Sequence, residues 1–506
     1  MTVQKLCYLV QESPTEALLL RQVEKLWETE SFPIVIPAQP LESTEDKLAR
    51  KKLDATIQFD GTRYEVGLPW VSDAIALPDN YNSALRRLFS IENKFIHNSN
   101  FAERYKAVID DYVAKGFARP LKESELKGTF GRNWYLPHHG VVNPRKPEKV
   151  RVVFYASANF QGLALNEVLL KGPNLINDIG ATLLLFREKS VSLSGDIQQM
   201  FLQVGVKKDD HPALRFLWRP PGSRKKPTVY EMQRQIFGSV SSPFICSQVL
   251  RHIADIHQEA SRAVKDSTAL LKKGGFHLNQ WFSSSRRVLS RVEGDCNQPR
   301  LNLDQEDLPT KRTLGVLYDS ESDSFIFDVK TDVEASTKRR ILSAVSTLYD
   351  PLGFLSPVIL SAKRILQELW LVGVDWDYQV PEEIQHQWNK WTTNLSQLEA
   401  FKIPRALTSS SDIQDIQLHA FCDASTVWIG SVVYLRVTYR NNIVAVNFVT
   451  SKPRVAPLRP LTVPKLELQG AVVALRLVKF VQSTLRIPIT QIIYWSDSKT
   501  VLQWIA

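Results

Sequence analysis

Three acids in the C-terminal part of this 506-residue sequence sit where carboxylates can do chemistry. Asp423 follows the apolar run QLHAFCD, Glu467 lies at the start of a helical pattern in VPKLELQGAVVALRL, and Asp497 ends the strand-like IIYWSD. Carboxylates contributed by three different elements are what two-metal phosphodiester hydrolysis needs, because their oxygens must hold two Mg²⁺ ions about 3.5–4 Å apart. Taken singly, each acid reads better as a strand-end turn or a helix cap. A fourth acid, Asp196, ends the alternating strand KSVSLSGDI, with the aromatic Phe201 five positions on. Nucleotidyl transfer also uses two Mg²⁺ ions, held by one carboxylate from such a strand and by others from a neighbouring hairpin. Asp196 could supply the first of these.

The elements that must position these acids are legible from periodicity. FDGTRYEVGLPW, with Asp60-Gly61 before alternating Tyr64, Val66 and Leu68, predicts a hairpin turn. Residues 85–116 predict helices ending at Gly116, a residue suited to a C-cap. Between 134 and 245, WYLPHHGVV, KVRVVFYAS, KSVSLSGDI, ALRFLWRP and VYEMQRQIF read as strands with helical segments between them, so the class is mixed α and β. Residues 262–330 carry a helix, the turn KKGGF and hairpins; residues 331–395 are largely helical and broken at YDPLGFLSP. The tail from about 415 contains the two strands that stop at acids.

Composition bounds the rest. A chain this long implies three or four domains, and 44% hydrophobic residues suffice for real cores. Lys and Arg outnumber Asp and Glu 63 to 53, a net charge of +10, which favours a polyanionic partner. Cys7, Cys246, Cys296 and Cys422 form no CxxC pair, arguing against a zinc site or disulfide framework and for a reducing compartment. No stretch is apolar enough for a signal peptide or a membrane span, so an intracellular location, cytoplasmic or nuclear, is expected. His138 and His139 are adjacent in extended chain and cannot easily face one metal; they read as structural or template-side residues.

CDAS with WIGSVVYL behind it, then KLELQGAVVAL, then YWSDSKTVLQWI resemble, in order, the first three acidic motifs of the ribonuclease H family. Upstream, YLPHHGVVNP, KVRVVFYASA, LSGDIQQMFLQV, LRFLW and QIFGSVSSPF stand in the order of reverse transcriptase motifs. Their wording, with FDGTRYEVGLPW, GGFHLNQWFSSS, LGVLYDSESDSFIF and LSAVSTLYDPLGFLSPV, is similar to the BEL/Pao group of animal retrotransposons across nearly the whole chain. The resemblance implies a polyprotein fragment with a right-hand polymerase (fingers, palm, thumb) and a C-terminally truncated ribonuclease H-like domain. It implies a linker region after the lost protease at 1–95, fingers and incomplete palm at 96–260, palm end and hairpins at 261–330, a helical thumb or connection at 331–400, and the nuclease at 401–506. Asp196, Asp423, Glu467 and Asp497 would be catalytic metal ligands for Mg²⁺, with Ser498 and Lys499 starting the next helix. Lys149 and Arg151 would face the triphosphate, although a solvated strand face is the alternative. Phe201 would lie beneath the sugar, and Gly238 would let backbone approach the nucleotide. RNA and DNA template-primer and, if the polymerase works, deoxynucleotides would be the partners. Lys338, Arg339, Arg340, Lys363 and Arg364 would grip duplex backbone or form a solvated basic face.

The sequence departs from the family in places. The aromatic-x-Asp-Asp hairpin expected between Asp255 and Lys272 is not there; IHQEASRAVKDSTALL reads as a helix, and Tyr155 stands where the family usually has an acid. The fourth nuclease acid is expected beyond Ala506. The polymerase is therefore expected to be defective, and the alternative is a non-catalytic, nucleic-acid-binding remnant or a domesticated retroelement protein. No Asp-Thr/Ser-Gly turn for a protease is present in the first 95 residues.

Overall fold

A computed structural model describes residues 42–126, 131–143, 146–256, 271–292, 310–327, 329, 336–409 and 412–505. Near the start, Gln58–Phe59 pairs antiparallel with Tyr64–Val66, and the Asp60 carboxylate accepts from the backbone N–H of Thr62 and Arg63 to close the turn. The segment after it is held by Asp210, which is buried and accepts from Leu68 N (2.7 Å), Trp70 Nε1 (2.7 Å) and Arg132 (3.3 Å).

Helices α1 (Tyr81–His97) and α2 (Ser99–Ala114) each bury one stripe: Ala84, Leu88, Ile91 and Phe95 on the first, Ala102, Tyr105, Ile109 and Tyr112 on the second. Asn98 separates them, its side chain capping α2 by accepting from Phe101 N at 2.9 Å. Gly116, at φ +66°, lets the chain leave the second helix. The stripes pack with the hairpin β1 (His138–Asn143) and β2 (Lys146–Phe154) and with the strand pair Arg215–Trp218 and Thr228–Met232. Trp134, Phe154, Phe216 and Trp218 fill that core, and each such side chain stabilises it by about 1.5–3 kcal/mol.

Helix α3 (Ile179–Glu188), capped by Asp178, leads into β3 (Leu193–Ile197), which pairs antiparallel with β4 (Leu278–Ser283). Between them runs α4 (Ser242–Ile256), with Phe244, Ile245, Val249 and Ile253 buried. The stretch in which the acid pair is expected, 257–270, lies outside the described residues, as do residues 1–41.

Helices α5 (Lys338–Thr347), α6 (Ser356–Leu371) and α7 (Glu382–Asn394) enclose Ile341, Val345, Ala362, Leu369 and Trp388. The basic residues here do not form one open face. Lys338 is turned inward with its Nζ 3.3 Å from the centroid of the Trp370 ring, Arg339 pairs with Asp377, and Arg364 pairs with Glu368. The Trp370 and Trp376 rings offer the Lys338 ammonium a negative π face, which is why a lysine is accommodated inside.

The C-terminal sheet comprises β5 (Ile413–Ala424), β6 (Trp428–Tyr439), β7 (Val444–Ser451) and β8 (Gln491–Trp495) in the order β7-β6-β5-β8. The first three are antiparallel neighbours, and β8 lies parallel to β5, reached through the long helix α8 (Val463–Thr484). Alternation decides the faces: Leu418, Ala420, Val433 and Leu435 are buried with Val473, Ala474, Leu477 and Val481 of α8. A final helix, α9 (Lys499–Ile505), follows. Two upstream segments pack into this same core, Leu183 and Leu184 of α3 and Leu352 of the YDPLGF loop.

Candidate metal centre

Asp423 occupies the end of β5, on the side opposite the residues that face α8. Glu467 is in the second turn of α8, and Gly470 one turn further lets the helix approach the strand. A Cβ at Gly470 would lie 3.6 Å from Cys422 Cβ, Asp423 O and Ile429 Cγ2. The parallel register sets Trp495 beside Phe421, so that continuing both strands by two residues brings Asp497 to Asp423. Ser498 starts α9 as expected: Leu502 N donates to its carbonyl and Val501 N to its hydroxyl.

One ligand oxygen from each of Asp423, Glu467 and Asp497 lies within 4.8 Å of the others. Asp423 and Asp497 are exposed, whereas Glu467 is buried. Burial, together with the like charges of Asp423 and Asp497, pushes the Glu467 carboxyl above its ordinary value, and the Ala424 backbone N–H pulls only partly against this. Its Oε2 is buried with no hydrogen-bond partner among the described residues. A buried carboxylate oxygen without a partner, on a side chain that has two further carboxylates beside it, is costly without a counter-ion. Three hard oxygen donors of this kind fit Mg²⁺.

The other expected site residues are dispersed. Asp196 is exposed near the end of β3, directly opposite Asn279 of β4, and belongs to no group of three metal-ligating side chains among the described residues. Gln199 just after it adopts a left-handed backbone, φ 49°, and Phe201 packs on Phe237 with ring centroids 4.6 Å apart. Lys149 and Arg151 are both exposed on β2 and two residues apart, hence on one face. Gly238, at φ +112°, lies so close to β2 that a Cβ would come 1.8 Å from Phe154 O. Tyr155 is exposed. His138 is structural: its Nε2–H donates to Leu217 O and its Nδ1 accepts from the Tyr105 hydroxyl, while His139 is exposed. Sequence reasoning missed Gly470 and the aromatic residues His419, Phe421 and Trp495 beside the acids. Strand alternation was the signal that could have found the latter.

Residues 337–498 match the model of the Pao retrotransposon-like RNaseH-like domain family. No match is found among curated proteins. Among solved structures, a similar one is the structure of the foamy viral protease-reverse transcriptase dRH in complex with ds DNA, at 14% sequence identity and a TM-score of 0.47. The likeness covers 79% of this chain, which spans 64% of the length of that one. No helix among the described residues is long and apolar enough to cross a membrane. The stretch that matches the family model contains Asp423, Glu467 and Asp497, so the three acids lie in the part of the chain that is similar to the Pao retrotransposon-like RNaseH-like family.

Proposed function

We propose that the C-terminal domain cleaves the RNA strand of RNA–DNA hybrids at a two-Mg²⁺ centre held by Asp423, Glu467 and Asp497. The observation that carries this is the convergence of three carboxylates from a strand end, a helix and a second strand end within 4.8 Å, one of them with an orphaned buried oxygen. When bound, the ions would activate the attacking water and stabilise the leaving oxygen. The chain's own part is to fix the donors. Glu467 is positioned by α8 from below the sheet, and Asp423 and Asp497 are presented to solvent by adjacent parallel strands. Gly430, paired with Asp423 on β6, leaves the approach open, since a Cβ there would meet nothing nearer than Asp423 O at 4.0 Å.

The upstream part is, on this reading, an RNA-directed DNA polymerase by ancestry that has lost its chemistry. Asp196 belongs to no group of three metal-ligating side chains among the described residues, while Lys149, Arg151, Phe201 and Gly238 persist as the nucleotide-binding remnant. Template-primer would still be held, and deoxynucleotides would not be incorporated. A second reading, a binder that does no chemistry at all, is favoured by the exposed Lys149 and Arg151 and the net charge of +10.

Incubating the chain with a labelled RNA–DNA hybrid and Mg²⁺ separates the readings. Cleavage that falls on the order of 10²-fold or more in Asp423→Asn and Asp497→Asn is expected, as when a charged group that stabilises a transition state is removed. Salt-sensitive binding without cleavage would establish the binder instead. Primer extension abolished by Asp196→Asn would overturn the polymerase-defective reading.

A further inference from the structure

Strand β6 turns a row of buried side chains toward α8, Ile429, Ser431, Val433 and Leu435, and Ser431 is the polar one among them. At 4% exposure its hydroxyl needs a partner inside the protein, and it takes one from the helix: Oγ donates to Gly470 O at 2.9 Å. Gly470 lies within α8, where the helical repeat gives its carbonyl the N–H four residues on, so a second lone pair receives the serine. The backbone of α8 therefore does not need this bond to be satisfied. What the bond does is fix where the helix lies along the sheet. Gly470 stands about one turn after Glu467, and Ser431 is paired with Cys422, one residue before Asp423. The hydroxyl thus ties the strand beside one acid to the turn that follows another. Two further contacts hold the same end of α8: the Glu467 carboxylate accepts from Ala424 N–H, and Leu466 is buried with Ile429 and Ala456. The apolar contact has no direction and tolerates sliding, whereas a hydrogen bond weakens steeply as its distance and angle depart from the optimum.

We propose that Ser431 is a positioning residue for the metal centre: by bonding Gly470 O it holds α8 in the register at which the Glu467 carboxylate joins Asp423 and Asp497 around a divalent cation. This rests on the metal-centre reading of the three acids and adds to it the residue that sets their spacing. The ligand oxygens lie within 4.8 Å of one another, and a helix released to slide on its apolar face would carry Glu467 away from the other two. Thr450, fully buried on β7, supplies a control. Its hydroxyl also donates to a carbonyl, Leu352 O at 3.0 Å, but at the joint formed by the YDPLGF loop and not on α8.

The test titrates Mn²⁺, which takes the same oxygen ligands as Mg²⁺, into the full chain and reads the free ion by electron paramagnetic resonance, with no substrate present. Ser431→Ala should weaken Mn²⁺ binding by about tenfold or more, as the loss of a group that orients a ligand does. Its thermal midpoint in EDTA should fall no further than that of Thr450→Val, which should bind Mn²⁺ as the wild type does. Ser431→Thr keeps the hydroxyl and should restore most of the affinity. Wild-type Mn²⁺ affinity in Ser431→Ala would overturn the proposal. So would an equal weakening in Thr450→Val, because the loss would then be one of general stability. Asp423→Asn separates the proposal from the reading beneath it. If that variant loses Mn²⁺ while Ser431→Ala keeps it, the metal centre stands and the positioning role falls. If Asp423→Asn binds Mn²⁺ unchanged, the metal-centre reading falls and the proposal with it.

Discussion

Asp423, Glu467 and Asp497 repel one another, and that repulsion is a stability cost which a cation or a mutation can remove. In EDTA, Asp423→Asn should raise the thermal midpoint by about 4–8 °C, the shift that 1 kcal/mol gives a domain of about 100 residues. Adding Mg²⁺ should raise the wild-type midpoint and leave the variant nearly unmoved, because only a ligand that binds the folded state stabilises it. A lowered midpoint for the variant in EDTA would mean that the acids do not oppose folding. His138 titrates in the other direction. Burial pushes its pKa down to about 4, so between there and its ordinary value near 6.5 the unfolded chain binds more protons than the folded one. Stability should therefore fall as pH drops through that window, by about 3 kcal/mol in all. An NMR titration of the ring giving a pKa above 6 would refute this. The acids could be read in the sequence because Asp423 and Asp497 end apolar strands and Glu467 opens an amphipathic helix. The inward-facing basic residues could not: Lys338, Arg187 and Arg405 look solvated in one dimension, and only their partners, distant in sequence, bury them.

At the scale of elements, strands and helices followed from alternation and from stripes at helical spacing, as in β3 and α2. What the YDPLGF break does was hidden. Two prolines and a glycine in YDPLGFLSP announce an interruption, but the loop is a joint between the helical region and the nuclease sheet. Asp350 accepts from Phe354 N (2.9 Å) and Leu355 N (2.6 Å), while Ser451 N and Thr450 Oγ1 both donate to Leu352 O. Gly353 sits at φ +81° with Ser451 O only 2.3 Å from where its Cβ would be. Gly353→Ala should cost at least about 2 kcal/mol, from left-handed strain plus the lost approach, in urea unfolding. Gly238→Ala should be comparably harmful through its clash with Phe154 O, and the loss should show in stability even without any nucleotide. If Gly238→Ala instead melts like the wild type and loses only nucleotide binding, its glycine serves the ligand. Both glycines are conspicuous in the sequence. Neither reveals which strand it touches, because β7 lies 98 residues from one and β2 84 from the other.

Across the whole molecule, the upstream and C-terminal parts are joined by two buried arginines, a feature that no local pattern encodes. Arg187 of α3 donates to Arg405 O (3.0 Å), Val449 O (2.8 Å) and Phe448 O (2.7 Å). Arg405 donates back to Phe186 O (2.6 Å), Lys189 O (2.8 Å) and Ser190 O (2.9 Å), and pairs with Asp323 at 2.6 Å. Burial, with the Arg405 charge beside it, pushes Arg187 down to about 9, so the pair is held by carbonyls at an electrostatic cost. Such an arrangement is destabilising to break, since each lost guanidinium leaves carbonyls unpaired and, for Arg405, an uncompensated Asp323. Arg405→Met should therefore cost about 3–5 kcal/mol. The loss should appear as faster amide exchange in both α3 and β7, elements that lie far apart in the sequence, and as a thermal transition that broadens or splits in two. Asp323→Asn combined with Arg405→Met should cost less than the sum of the two single changes, because the second removes a charge that the first has already stranded. Additive losses, or exchange confined to one side of the joint, would show instead that the two parts fold independently and that the arginines merely fill the space between them.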